Sequence, residues 1–431
     1  MLHKNLSINE KGHLEFAGVD TTVVAKEYGT PAYLIDENMV LENFKTYQNA
    51  MKTHMGEGSK PLFASKALSY TGIYRLISEV GGCIDIVSPG ELYTAVNAGF
   101  DMSNAFFHGS NKTNADIAYG LKEGVGYFIV DNVFELEEIS KQAKDLGITQ
   151  KILLRVTPGI DPHTHAKINT GKVDSKFGAP IETGKAEKLF CKVMETPNVS
   201  LEGFHSHIGS QIFEIEPFSD AARIMLEFVA MLHDKYGFDA NYLNLGGGFG
   251  VQYTKDDPQI DYAERIEKLS AEIKEHCRDF GIKQPNILME PGRSIVAAAG
   301  LTIYEIGATK EIEGFKNYAS VDGGMTDNPR YALYQSPYTC VLANKMNEKC
   351  DFVCTIAGRC CESGDLIQEN VAIPKPSRGD ILAVLCTGAY NYSMASNYNR
   401  IPRPPIIAIR DDKARIAVRR ETYADLCSLD E

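Results

Sequence analysis

The sequence predicts an α/β chain: a (β/α)8 TIM barrel followed by a C-terminal all-β barrel or sandwich domain that also takes in the N-terminal segment. Three observations predict it. Eight short strand-like runs alternate with amphipathic stretches over the first two thirds of the chain. Beyond residue 292 the texture changes to β-rich runs divided by Gly, Pro and Asp. The 431 residues also exceed what one core usually supports, so a large domain with a smaller companion is expected.

The eight runs are PLFASK (61–66), CIDIVS (83–88), AFFHG (105–109), YFIVD (127–131), ILLRV (152–156), LEGFHSH (201–207), YLNLG (242–246) and NILME (286–290). Between them, stretches such as ELEEISKQAKDLG and YAERIEKLSAEIKEHCRDFG place apolar residues at i, i+3 and i+4 with a glycine at the end. Strand, helix, strand repeated in this way predicts a parallel barrel over 36–292. An open doubly wound sheet is the alternative arrangement of the same elements. The second domain covers 293–431, with runs such as DFVCTIAG and DILAVLCTGAY. LEFAGV and TPAYLIDE near the start also read as strands. Residues 1–35 are too few to form a domain alone, so they are assigned to the β domain.

A formal charge of −13 and the lack of any Lys/Arg run argue against a nucleic-acid partner. No apolar stretch approaches the ~20 residues needed to span a bilayer, and MLHKNLSINEKGHLEF lacks the apolar core of a signal peptide. A cytoplasmic location is therefore expected, with no membrane partner. Ten cysteines scattered without a framework fit a reducing compartment. Cys350, Cys354, Cys360 and Cys361 cluster, but their spacing matches no common zinc pattern, and no metal is expected.

Catalytic groups of such a barrel belong at the C-terminal ends of its strands. Those ends carry Lys66, Asp85 with Ser88, His108, Asp131, Arg155, His205 with His207, Gly246 to Gly248, and Glu290. Buried polar groups are costly unless paired or used, so a full ring of them argues for a site. A strand-end lysine ordinarily snorkels to water. At the mouth of a pocket, Lys66 can instead be an amine that reacts with a carbonyl.

LNLGGGFG gives a backbone that can approach a ligand closely and bare amides that suit an anion. Phosphate sites in barrels recur after strands seven and eight, where GGGFG and EPGRS stand here, the latter carrying Gly292. A dinucleotide would want G-x-G-x-x-G inside a βαβ unit. A reactive lysine beside a phosphate cradle points to pyridoxal 5'-phosphate, and a Glu290 carboxylate against the ring nitrogen would keep it protonated.

The motifs FASKA, DIVSPGEL, TGKVDSKFG, HSHIGSQ, GGGFG, EPGRS, DGGMTDNPRYALY, CESGD and TGAYNYSMASNYN span essentially the whole chain. Together they resemble the diaminopimelate decarboxylases, pyridoxal-phosphate enzymes of the alanine-racemase-like fold type. The resemblance implies decarboxylation of meso-2,6-diaminopimelate to L-lysine and carbon dioxide. It makes Lys66 the Schiff-base lysine, stacks His207 on the cofactor ring, and gives the phosphate to Ser210, Gly246, Gly247 and Gly248. Asp85, Glu290 and Gly292 complete the cofactor site, with Arg293 and Tyr390 touching cofactor and substrate. Arg293, Arg330 and Tyr334 would bind substrate carboxylate and amino groups. Cys361 would be the proton donor, selected over Cys360 by the alignment on CESGD, and Glu362 would bind the distal ammonium. Both residues reach the neighbouring subunit's site in this family, which implies an obligate homodimer.

Other readings remain open at this level. A relative of the same fold could act on ornithine or arginine, or racemise alanine, although a racemase wants a tyrosine opposite Lys66. Arg330 can grip a carboxylate in a bidentate pair or form a surface salt bridge. Diaminopimelate keeps a distal carboxylate that ornithine lacks, so Arg293 with Arg330 favours the former. A metal hydrolase would use His205 and His207 as a pair at i, i+2 on one strand face. A non-catalytic regulator would have no use for both Lys66 and Cys361.

Overall fold

A computed structural model describes residues 1–160 and 175–431, so residues 170–174 of TGKVDSKFG lie outside the described residues. The chain divides into two compact units, one of residues 43–250 and 260–292, the other of 1–42, 251–259 and 293–431. The short segment 251–259 interrupts the stretch from which a barrel is expected and belongs with the β-rich unit.

In the first unit eight parallel strands close on themselves. They are β1 (Lys60–Ala64), β2 (Cys83–Ile86), β3 (Ala105–Phe107), β4 (Tyr127–Val130), β5 (Gln150–Thr157), β6 (Val199–His205), β7 (Tyr242–Asn244) and β8 (Asn286–Met289). β8 pairs back onto β1 through Leu288 with Lys60 and Met289 with Pro61, which completes the expected barrel and excludes the open sheet. A helix follows each of β1 to β7: Thr71–Glu79, Pro89–Asn97, Asn114–Lys122, Val133–Leu146, Lys185–Met194, Glu216–Tyr236 and Tyr262–Asp279.

Local chemistry sets the helix ends. Ser88 accepts a hydrogen bond from the Glu91 N–H, Asn132 from Glu135 and Asp261 from Glu264, each satisfying an orphan donor of a first turn. Ser88, read from the sequence as one of the polar strand ends, is thus a helix cap. Gly147 and Gly237 end their helices in the left-handed conformation.

The interior of the barrel follows from the two-residue period of a strand. Leu62, Cys83, Phe106, Ile129, Leu153 and Leu288 form one buried apolar cluster, with Tyr127 and Tyr242 packed against it. Two residues on, the same faces present Asp85, His108, Asp131, Arg155, Asn244 and Glu290. An apolar layer therefore plugs the barrel and a polar layer lies at its C-terminal mouth. Burying a ring such as Phe106 contributes about 1.5–3 kcal/mol.

The second unit is a sheet in the order Leu366–Ile373, Phe352–Ala357, Lys316–Val321, Gly300–Ile312, Ala32–Asp36, Ile406–Arg410, Lys413–Val418. Ile381–Leu385 pairs with both Gly300–Ile312 and Cys340–Leu342. Ala32–Asp36 lies between strands of the C-terminal region, and Leu14, Phe16 and Leu34 share one apolar core with Leu301, Ile303, Leu385 and Ile407. No helix among the described residues is long and apolar enough to cross a membrane.

Candidate active site

The polar layer of the barrel centres on Glu290, which is buried one residue beyond β8. His108 Nε2 lies 3.0 Å and His205 Nε2 3.3 Å from its Oε1, and Asn244 Nδ2 donates to the same oxygen at 2.8 Å. The two imidazoles meet edge to face, 4.8 Å apart. Burial alone would raise the Glu290 carboxyl, but the two histidines overcome it and hold it well below the usual carboxylate range. Burial takes His205 down to about 4. Asp85, 3.7 Å from His108, is pushed up to about 6 by burial, which the neighbouring Glu290 charge reinforces and His108 opposes.

The glycine run is tied to this centre. Asn244 Oδ1 accepts from the Gly246 N–H at 2.9 Å, and the Glu290 N–H donates to the Gly246 carbonyl at 2.8 Å. A Cβ on Gly247 would lie 2.1 Å from the Glu290 carbonyl oxygen, and one on Gly246 2.6 Å from that of Ser206. Gly246 has φ 70°, so glycine is required there on two grounds. Ile212 N–H bonds to Gly248 O and Gly250 N–H to Ile212 O, which zips the loop carrying His207 and Ser210 to the glycine run.

Lys66 stands apart from the strand that the sequence suggests it closes. β1 ends at Ala64, and Lys66 occupies a single 3-10 turn, Ser65–Ala67, with both neighbours buried and its own side chain exposed. Gly292 packs under this turn; a Cβ there would meet the Ala64 and Ala67 methyls at 3.0 Å. Burial, then the Lys66 ammonium, take the His207 imidazole well below its ordinary value. His207 also lies past its strand: β6 stops at His205, and the chain turns toward the glycine run after Ser206 bonds to Asn244 O. The strand-borne His205/His207 ligand pair is therefore not formed. The buried group whose spacing could hold a metal is instead His108, His205 and Glu290, with ligand atoms within 4.8 Å of one another among the described residues. The clustered cysteines join no such group there.

Arg155 lies 4.0 Å from Asp131 and 4.3 Å over the Phe177 ring, so both remain structural neighbours at the barrel mouth. Glu91, not singled out from sequence, accepts from the Val87 N–H and is pushed up to about 7 by burial.

The β-rich unit carries the second cluster. Arg330 begins a short helix, Arg330–Tyr334, rather than lying in a loop, and is buried. Its Nη1 donates to the Pro337 and Ser336 carbonyls at 2.9 and 3.3 Å, and its Nε and Nη2 take no hydrogen-bond partner among the described residues. Arg293 donates through Nη1 to the Tyr253 hydroxyl at 2.7 Å and lies 4.7 Å over the Tyr390 ring. Tyr390 holds φ 62°, a conformation non-glycine residues rarely take outside sites that require it. Tyr334 is half-buried at the end of the Arg330 helix.

In the same unit the buried Asp365 carboxylate accepts from the Met325 N–H at 2.6 Å and the Cys360 N–H at 2.7 Å, pinning the CCESGD turn. The Cys361 N–H donates to Asn399 Oδ1 at 2.7 Å. Cys361 and Glu362 are exposed, whereas Cys360 is half-buried with its thiol pushed up to about 11 by burial. All ten cysteines are free thiols.

Residues 38–297 match the family model of the pyridoxal-dependent decarboxylase, pyridoxal binding domain. The chain is 43% identical to the diaminopimelate decarboxylase of Bacillus subtilis over 429 residues, covering 100% of this chain and 98% of that protein. It superposes on diaminopimelate decarboxylase from M. jannaschii in complex with L-lysine at a TM-score of 0.92 and 34% identity, covering 100% and 98% of the two chains. The Helicobacter pylori enzyme with L-lysine gives a TM-score of 0.86 at 30% identity, covering 95% and 99%.

Proposed function

Because the chain belongs to the diaminopimelate decarboxylases, within the pyridoxal-dependent decarboxylases, we propose a division of labour among the residues of its two clusters. The reaction removes one carboxylate of meso-2,6-diaminopimelate as carbon dioxide and yields L-lysine, the last step of lysine biosynthesis. The cofactor is pyridoxal 5'-phosphate, which when bound supplies an aldehyde for amines and a ring that accepts electrons. The barrel mouth fits this group. Its glycine run packs directly against the Glu290 and Ser206 carbonyls, Glu290 is a buried anion, and Asp85 Oδ1 and His205 Nδ1 are buried without a hydrogen-bond partner among the described residues.

Lys66 would hold the cofactor through its amine. His207 would lie against its ring, and Ser210, Gly246, Gly247 and Gly248 would take the phosphate, with Asp85, Gly292, Arg293 and Tyr390 as further cofactor contacts. Glu290 stays anionic and would favour a proton on the ring nitrogen. Arg293, Arg330, Tyr334 and Tyr390 bind the substrate, and Glu362 takes its distal ammonium. Cys361 returns a proton to the carbon that has lost its carboxylate. The observation that carries the substrate reading is the buried Arg330 guanidinium, whose Nε and Nη2 take no hydrogen-bond partner among the described residues and suit the distal carboxylate that ornithine lacks.

The proposed assembly is a homodimer in which Cys361 and Glu362 serve the partner's site, and the proposed location is the cytoplasm, where ten free thiols stay reduced. Lys66→Ala and Cys361→Ala then inactivate separately, but mixed and re-equilibrated they recover up to about a quarter of wild-type activity, because half the dimers hold one intact site. Cys360→Ala costs far less rate than Cys361→Ala. No recovery on mixing argues against shared sites, and the reverse cysteine ranking reassigns the proton donor.

A further inference from the structure

Tyr253 lies in the segment 251–259, which packs with the β-rich unit, and no role has so far fallen to it. It is buried and touches both arginines with different parts of one side chain. Its hydroxyl accepts from Arg293 Nη1 at 2.7 Å, while its ring face lies 3.6 Å from the Arg330 guanidinium carbon. Tyr338 backs the arrangement, its ring edge-on to Tyr253 at 5.7 Å and 5.1 Å from the Arg330 guanidinium. Asn391 Nδ2 donates to the Tyr338 hydroxyl at 3.0 Å, and Thr339 Oγ1 to the Tyr253 carbonyl at 2.9 Å, so the bridge is itself fixed.

A free arginine has many rotamers to lose on binding a carboxylate, and a guanidinium already held over a ring loses fewer. We propose that Tyr253 is a positioning residue that sets the Arg293 and Arg330 guanidinium groups in one fixed arrangement and so selects a substrate with two carboxylates. The inference rests on the reading of both arginines as substrate-binding. Tyr253 acts through them, by hydrogen bond on one side and by stacking on the other.

The test is steady-state kinetics of the holoenzyme on meso-diaminopimelate for Tyr253→Phe, Tyr253→Leu, Arg330→Gln and the Tyr253→Leu/Arg330→Gln double variant. Tyr253→Phe keeps the ring and loses only the Arg293 acceptor, and KM is expected to rise roughly threefold; Tyr253→Leu also loses the stacking face, for roughly tenfold. In both, kcat changes less than KM, and the double variant exceeds Arg330→Gln alone in KM only by the roughly threefold of the Arg293 half, not by the full tenfold. A merely structural tyrosine would instead give effects that multiply with those of Arg330→Gln. If Arg330→Gln raises KM while both Tyr253 variants keep the wild-type value, the positioning role is overturned and the substrate reading stands. If Arg330→Gln itself leaves KM unchanged, the substrate reading of that arginine fails and takes this inference with it. Tyr253→Phe, which alters only one hydroxyl, decides the Arg293 half even if Tyr253→Leu is too unstable to assay.

Discussion

Replacing Lys66 with alanine abolishes lysine formation, by at least about a thousandfold, the scale on which removing a covalently acting residue is felt. The same change abolishes the cofactor adduct that borohydride reduction otherwise fixes to the Lys66 peptide, which mass mapping reads directly. The reason is positional. The Ala64 N–H is bonded to the Pro291 carbonyl, Ser65 and Ala67 are buried, and Gly292 packs under the turn, so the backbone presents one exposed amine. Lys112 cannot replace it, because its ammonium is buried and spent on Glu135 at 2.6 Å and on the Gly109 and Ile129 carbonyls. Normal turnover by Lys66→Ala, or an adduct mapped to another lysine, would remove Lys66 from the chemistry.

Glu290→Gln is the second large effect. The wild-type carboxylate is buried, and burial alone would favour its neutral form; His108 and His205 reverse this and keep it charged. Below the ordinary carboxylate range the group still holds its charge, so acid near pH 5 does not silence it by protonation. Glutamine keeps the shape and can still meet Asn244, but it cannot hold a proton on a ring nitrogen. We expect kcat to fall by roughly a hundredfold or more with the cofactor still bound, the lower end of what acid–base partners contribute. Cofactor content, measured on the same sample, separates this from simple loss of the group. Wild-type kcat with full cofactor content would show that Glu290 only fills space.

Much of the barrel site was legible because a strand has a period of two. Apolar residues such as Phe106 and Leu288 announce an inward face, and the polar residues two positions on, His108 and Glu290, then have to lie at the mouth. The runs 61–66 and 201–207 put Lys66 and His207 on strand ends, but each lies just past its strand, since strand ends depend on pairing that a single run does not reveal. Asn244 was missed, although one amide inside YLNLG is a signal: a buried amide needs partners, and it has Glu290 and Gly246. Tyr253 left no signal at all. Its partners are 40 and 77 positions away in sequence, and only the fold shows that 251–259 leaves the barrel unit to meet them.

The most direct test of the central claim is product formation by the purified protein with added pyridoxal 5'-phosphate, on meso-diaminopimelate, L-ornithine and L-arginine in parallel. The expected result is L-lysine and carbon dioxide from diaminopimelate, with neither of the other two amino acids decarboxylated at a comparable rate. Turnover of ornithine or arginine in its place would contradict the assignment of Arg330 to a substrate carboxylate, and silence on all three would contradict the decarboxylase itself.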